Sequence, residues 1–522
     1  MKNKKILFIL LVFLALTMFS TISFSEKQGK DTLMVGMFLE AQYLDPQIQD
    51  DSYSEQVIDM IYNKLLKFKP NGGSENDLAE SYEVSEDGRT WTFKLKEGVK
   101  FHNGKELTAE DVKGTYDRFL VDSPDAARLG KVRARAEMVV SVDVVDKYTV
   151  SITTDEPYGP MLSMLSLPHL SIMDPDVFSE FAENTGVFPE STIGTGPYKM
   201  VSWKKGQEIV LERFDDYFGE KAKIKTLKIV AIPESASRVI ALENGEVDLI
   251  KSFPAGDLER LEADPNINIF KKLAISAQLF QFGCNDPIIG NTKVRQAISY
   301  AIDRDAIIEG LFPGLTYPAT GPIPPPVFGY YDFGKIEQDQ EKAKQLLTEA
   351  GYPNGFDIKI ITTPRYDKAV ELAEVLTDQL SEVGINAKIE VLEVSVWSAN
   401  VSGLTPEEFD MPIFIMGAGT SLQHADGALR GLWTTATTGT NERSYGFYSN
   451  AEVDRLVYAA MRETDLEKAY ELYKEAQKIL WLEDPPAIWL FNNYKFAAMR
   501  SNLKGIEMNG VGTIYYDKLY FE

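Results

Sequence analysis

Phe356-Asp357-Ile358-Lys359-Ile360-Ile361-Thr362, the run from Asp367 to Val383, and Ile385 to Leu392 are the consecutive pieces whose reading decides the fold class. The first and last read as strands, and the middle as a helix ended by Gly384. Strand, helix and strand within 37 residues make a βαβ unit, so this part of the chain is expected to hold a parallel sheet. The class is therefore α/β.

The pattern holds on both sides of this unit. Val294, Ala297, Ile298 and Ala301 mark one helical face. Ala343, Leu346, Leu347 and Ala350 mark another, closed by Gly351. Phe409 to Met416 is expected to be a buried strand, followed by amphipathic helices around Val453–Arg462 and Leu466–Trp481. Further back, Trp91, Phe93 and Leu95 alternate with Thr92, Lys94 and Lys96, as a half-buried strand does. Val99 and Phe101 are expected to continue into the next strand, ahead of a turn at Asn103-Gly104. Thr108 and Asp111 form a capping-box-like start to a helix carrying Val112, Tyr116 and Phe119. Five prolines fall between Thr316 and Phe328, which suits either a rigid surface loop or a stiff wall beside a cleft. Charge-rich helix faces read as solvated surface.

The 522 residues are enough for two to four domains, with 44% hydrophobic and 25% charged residues as in ordinary globular proteins. The 54 basic residues face 78 acidic ones, a net charge of −24. Such a surface repels nucleic acid and anionic membranes, so neither is an expected partner. Cys284 is the only cysteine, which excludes an internal disulfide and a Cys-rich metal site; next to Phe282-Gly283 it is expected to be buried and inert. The three histidines, His102, His169 and His424, form no H-E-x-x-H pattern, so no metal ligand is assigned.

Lys2, Lys4 and Lys5 precede the apolar run Ile6 to Phe19, and Ser23-Phe24-Ser25 then leads to Glu26. A basic start, a short apolar stretch and a small-x-small site read as a secretory leader, residues 1–25. The run is too short to span about 30 Å of hydrocarbon comfortably. No cysteine lies beside the cleavage site, so the expected product is an exported, periplasmic protein and not a lipoprotein. Loss of the leader removes lysines and no acid, leaving the exported chain more acidic still.

No motif for catalysis stands out. There is no G-x-S-x-G elbow, and Gly98 to Lys105 matches a phosphate loop only loosely, with Glu106 in place of Ser or Thr. With 78 acids a catalytic carboxylate pair cannot be chosen. No catalytic residue and no cofactor is assigned, and the weight moves to binding.

Four stretches then carry a resemblance. They are Ala79-Glu80-Ser81-Tyr82 with Asp87 to Gly104, Gly194-Thr195-Gly196-Pro197-Tyr198, Asn291 to Arg304, and Glu349 to Phe356. In this order they resemble the recurring motifs of the family 5 extracellular solute-binding proteins, the peptide, nickel and glutathione receptors of ABC importers. The likeness covers nearly the whole exported chain. Tyr317-Pro318-Ala319-Thr320-Gly321, Ile413–Trp433 and Phe447-Tyr448-Ser449-Asn450 are most similar to the glutathione-binding branch. Dipeptide receptors carry an amine-pairing aspartate just after the Phe409–Met416 strand. Here Gly419, Thr420 and Ser421 stand there, and the next acid is Asp426.

The resemblance implies a two-lobed periplasmic-binding-protein fold of type II, cluster C, with a subdomain inserted in the first lobe. It implies a first lobe of 26–58, 193–275 and 491–522, an insertion of 59–192, and a second lobe of 276–490. Crossover strands are expected near Ala274–Phe282 and Leu490–Ala497. The implied ligand is glutathione or a related small peptide, passed by a monomeric receptor to an ABC permease and its ATPases. Dipeptide or oligopeptide capture, a nickel chelate held near His424, and an exported hydrolase are the alternatives.

A zwitterion buried in a cleft needs a partner for each charge. Arg365, after the Phe356–Thr362 strand, is placed where α/β sheets bind ligands and suits a carboxylate, unless it is plain surface. Asp426 suits the ammonium or caps the helix beginning there. Thr420 and Ser421 offer hydroxyl and amide donors, and Gln423 and His424 lie in the same loop. Trp397 and Trp433 are candidates for stacking or for core. Tyr43 and Ser54 are expected to face the cleft from the first lobe, and Arg133 and Arg135 to meet a second carboxylate from the insertion.

Overall fold

The computed structural model describes residues 31–120, 128–401, 404–435 and 445–522. The expected leader lies outside them.

In the first half of the chain, β1 (Thr32–Met37) is central, and a short hairpin of β2 (Leu66–Phe68) and β3 (Ser74–Asn76) follows. A separate antiparallel sheet is built from β4 (Ala79–Val84), β5 (Thr90–Leu95), β6 (Val139–Asp146) and β7 (Thr149–Thr154) in the order β4-β5-β7-β6. The predicted alternation holds in β5: Trp91, Phe93 and Leu95 are buried. They join Val112, Tyr116 and Phe119 of the helix Ala109–Leu120 in a core confined almost wholly to residues 65–172. Thr108 N–H donates to Asp111 Oδ2 at 2.8 Å, the reach-back of a capping box. Val99 and Phe101 do not form a strand. The turn at Asn103-Gly104, with Gly104 at φ +90°, comes too soon for a ladder, and the two residues close a short loop instead.

The large sheet has eleven strands. To the strands already named it adds β8 (Tyr198–Lys204), β9 (Glu208–Arg213), β10 (Thr226–Ala231), β11 (Leu249–Lys251), β12 (Ile267–Phe282) and β13 (Thr316–Pro318). The remainder are β14 (Phe356–Thr362), β15 (Ile385–Val391), β16 (Ile413–Gly419) and β17 (Ala487–Arg500). Their order is β15-β14-β16-β12-β17-β11-β1-β10-β9-β8, with β13 on β17. The opening βαβ reading holds: β14 and β15 are parallel in register from Phe356/Ile385 to Thr362/Val391, joined by the helix Ala369–Ser381. That helix starts two residues late, after Lys368 at φ 49°, and Gly384 ends the connection at φ +88°. The strand expected at Phe409–Met416 begins at Ile413 instead. Pro412 lacks an N–H to donate, so the ladder starts after it and runs on through Gly417 and Gly419 against Gln278 and Ser276.

The 16-residue β12 and the 14-residue β17 run antiparallel to one another through the middle of the sheet. β16 lies along one end of β12, and β11 along the other end of β17. Two apolar cores flank the β1 side of the sheet and two more flank the β14 side. Between them the sheet narrows to the two long strands and β13. There Ala274, Ile275 and Ser276 bulge opposite Asn493, which bends both strands.

Candidate functional site

The parallel strands of both sides aim at this neck. β11 ends at Lys251 opposite Ala497, and β16 ends at Gly419 opposite Ser276. The intervening stretch of β17, Asn493 to Phe496, is what their carboxyl ends approach. Loops at carboxyl ends of parallel strands are where α/β sheets hold ligands.

A cavity of about 380 Å³ opens there, within the range of small-molecule sites. Phe253 and Ala255, just after β11, supply one wall; Arg365, Tyr366 and Asp367, just after β14, supply the other. Gln278, Asn493, Tyr494 and Phe496 of the long strands form the floor. Phe253 meets Phe496 edge-on at 5.9 Å, and Tyr494 lies 6.3 Å from Phe496. The floor is thus aromatic with amides interspersed. Gln278 Nε2 donates to Met416 O at 2.9 Å, so that amide is already oriented. Tyr366 sits against the bare Cα of Gly417, where a Cβ would come within 3.1 Å of its ring. Burial raises the Tyr366 hydroxyl above the usual phenol range, so it stays a neutral donor.

The charges are on the β14 side. Arg365 is exposed, lies 5.7 Å over the ring of Trp397, and makes no ion pair. Asp367 is also exposed and likewise unpaired. A guanidinium and a carboxylate two residues apart, neither in an ion pair, have the charges to meet the ends of a zwitterion.

The comparisons with known proteins bear on the fold and the family. Residues 74–440 match the model of the bacterial extracellular solute-binding proteins, family 5. The glutathione-binding protein GsiB of Escherichia coli K12 is 30% identical over 443 residues, 85% of each chain. That of Pectobacterium atrosepticum is 31% identical over 451 residues, 86% of this chain and 85% of its own. Among solved structures, HbpA2 of Haemophilus parasuis superposes with a TM-score of 0.86 at 26% identity, over 94% of this chain and all of the other. DppA of Helicobacter pylori, solved with the peptide STSA, gives 0.74 at 29%, over 94% and 98%.

The chain belongs to family 5 of the extracellular solute-binding proteins. It is a substrate-binding component of an importer and not an enzyme, with the two-lobed α/β fold that the four motifs imply.

The solute-binding protein places the other sequence candidates as follows. Tyr43 is 48% exposed beyond the end of β1. Ser54 does not face the cleft. It is wholly buried, donates to Asp51 Oδ2 at 2.6 Å, and accepts from the N–H groups of Gln42 and Tyr43. Asp426 neither caps the helix Ala425–Trp433 nor stands open to an ammonium. It is fully buried and gripped by Arg430 through bonds of 2.8 and 3.1 Å. The cap is His424, whose Nδ1 accepts from Asp426 N–H at 3.1 Å. His424 stacks on Phe328 at 4.7 Å, and burial pushes its pKa down to about 3. A buried imidazole held this way serves neither a chelated metal nor a hydrolytic base. Gln423 is buried at φ 50° with neither side-chain atom bonded.

Trp433 is core: it is 1% exposed and donates to Gln281 Oε1 at 3.3 Å beside Trp489. Trp397 is core as well, though it carries Arg365 on its face. Thr420 is buried, with its hydroxyl accepting from Leu422 N–H. Arg135 reaches across from the inserted segment and donates to Ser421 Oγ at 3.0 Å; Arg133, next to it, is half-buried. Cys284 is half-buried, and burial raises its thiol to about 11, consistent with an inert role. The proline run is a packed loop: Ile323 and Val327 are buried, and the Pro326 carbonyl closes on Gly72.

Sequence reasoning missed Asp367, which it assigned to a helix start. It also missed the aromatic floor, because Phe253, Tyr494 and Phe496 come together only through the pairing of β11 with β17.

Proposed function

We propose that this solute-binding protein is exported to the periplasm with loss of residues 1–25, captures glutathione or a related small peptide at the neck between its lobes, and delivers it to an ABC permease. One observation carries the ligand class: the unpaired Arg365 and Asp367 on the wall of the aromatic-floored cavity. Arg365 takes a carboxylate bidentately and Asp367 the neighbouring ammonium, while Tyr366 and the amides of Gln278 and Asn493 meet peptide groups. The names of the curated relatives support glutathione within that class. The lobes divide at 26–58, 193–275 and 491–522 against 276–490, with 59–192 inserted. Because ligand would touch loops after β11 and after β14 at once, the closed form binds better and occupancy shifts the population toward it. The closed form then docks on the permease.

Thermal unfolding tests the reading against reduced and oxidised glutathione, dipeptides, a longer peptide and nickel with histidine. A ligand at 100 times its dissociation constant adds about 2.7 kcal/mol. A rise with glutathione that Arg365→Ala and Asp367→Asn each abolish supports the assignment. A rise with dipeptides alone moves the ligand to that class, and a rise insensitive to both variants moves the site elsewhere.

A further inference from the structure

Thr363 to Lys368 link β14 to the helix Ala369–Ser381, and this link carries Arg365 and Asp367. Both of its ends are pinned. At the first, Thr362 Oγ1 donates across it to Ala369 O at 3.0 Å. At the second, Lys368 stands in the left-handed region at φ 49° and ψ 32°. A residue with a Cβ enters that region at a cost, and glycine is its usual occupant. The helix gains no side-chain cap from Lys368 to offset this. Such a residue persists only where its surroundings hold it, and strain of this kind gathers at ligand clamps.

What holds Lys368 is a second loop that lines the same cavity. The Lys368 ammonium donates to Leu311 O at 2.5 Å and sits 5.5 Å over the ring of Phe312. Leu311 ends the helix Arg304–Leu311, where the last carbonyls have no partner within the helix and the dipole favours a cation. Phe312, Leu315 and Thr316 continue from that helix and line the cavity. Lys271, on β12, fixes the same loop by donating to Gly314 O at 2.7 Å. Lys368 is thus anchored to a loop that is itself held.

We infer that Lys368 is a positioning residue for ligand capture, an inference that rests on the capture reading above. It does not line the cavity. By gripping Leu311 it holds the wall that bears Arg365 and Asp367 against the Phe312–Thr316 loop, and so keeps both charges in one arrangement before ligand arrives. A wall without this tether divides its time among arrangements, and apparent affinity falls with the fraction that stays competent. Glycine at 368 relieves the strain but cannot reach the Leu311 carbonyl.

Calorimetry with reduced glutathione and with alanyl-alanine tests this on Lys368→Met, Lys368→Gly and Lys368→Arg, with Arg365→Ala for comparison. Lys368→Met and Lys368→Gly are expected to bind about 10-fold more weakly, as a competent fraction of about a tenth gives. Lys368→Gly is expected to melt no lower than wild type. Lys368→Arg, whose guanidinium also donates to a carbonyl and lies over a ring, is expected to restore binding. Trp397, beneath Arg365 and edge-on to Tyr366 at 5.6 Å, reports on the wall without ligand. Its quenching by acrylamide, taken as the difference from Trp397→Phe, is expected to rise in Lys368→Met and not in Lys368→Arg. Binding lost in Arg365→Ala but kept in Lys368→Met and Lys368→Gly leaves the capture reading standing and overturns this inference. So does Lys368→Arg binding no better than Lys368→Met, or Lys368→Gly losing binding together with melting temperature. If wild type binds neither probe, the capture reading fails, and the quenching arm decides whether Lys368 holds the wall: no rise in Lys368→Met overturns the tether.

Discussion

Single residues near the cleft divide into those that are saturated by the protein and those that are not. Asp426 and Arg430 saturate one another in a buried pair. Asp426→Asn removes the buried carboxylate from Arg430, leaving the guanidinium only Glu137 at the rim, and is expected to cost about 3 kcal/mol in urea denaturation without ligand. Arg365, by contrast, is exposed and unpaired, so Arg365→Ala is expected to leave unfolding within about 0.5 kcal/mol of wild type while ligand affinity falls. His424 permits a pH test. Its folded pKa is near 3 against an ordinary value near 6.5, so the unfolded chain binds the extra proton between these values. Stability from this residue is therefore lost as pH falls from 6.5 toward 3. His424→Asn keeps a capping acceptor but takes up no proton. Its melting temperature, relative to wild type, is expected to rise between pH 7.5 and pH 5; a constant difference would contradict the assignment.

At the scale of elements, the βαβ unit depends on how its connection is closed. Gly355 at φ +74° enters β14 against the backbone of Gly384 at φ +88°, which enters β15. A methyl on Gly355 would collide with the Gly384 carbonyl oxygen, a backbone atom that cannot swing aside. Gly355→Ala is expected to destabilise by at least about 1–3 kcal/mol, combining left-handed strain with the collision. Denaturant titration checks this, and Gly351→Ala is the comparison: it shares the positive φ of +93° but has open space for the methyl. Gly351 and Gly384 were readable as helix ends. The contact of Gly384 with Gly355 was not, since it arises only when β14 and β15 lie side by side.

Across the whole molecule, the inserted segment and the second lobe touch along a polar rim. Glu137 pairs with Arg430 at 3.2 Å and Glu156 with Arg462 at 2.5 Å, while Gly159 N–H donates to Met461 O at 2.8 Å. Exposed pairs contribute about 0.2–1 kcal/mol each, so Glu137→Gln with Glu156→Gln is expected to favour opening and weaken ligand binding roughly 2- to 30-fold. Small-angle scattering should show a larger radius for the unliganded variant, and the difference should shrink at high salt. This scale also separates what the chain alone determined from what folding decided. Periodicity and stop signals between Phe356 and Leu392 established a parallel α/β unit, because strand and helix spacing is local. The ordered motifs pointed to the family, and the acidic composition argued against nucleic-acid partners. Arg365 could be placed at a strand's carboxyl end for the same local reason. Only the tertiary structure decided that Asp426, Ser54 and Trp433 are buried and engaged within the protein while Asp367 is left open. Only it brought Phe253, Tyr494 and Phe496 together at one cavity. Burial and pairing of a charge depend on strands more than 200 residues apart in sequence, β11 on β17 above all, and no local pattern encodes which face of that pairing a side chain will take.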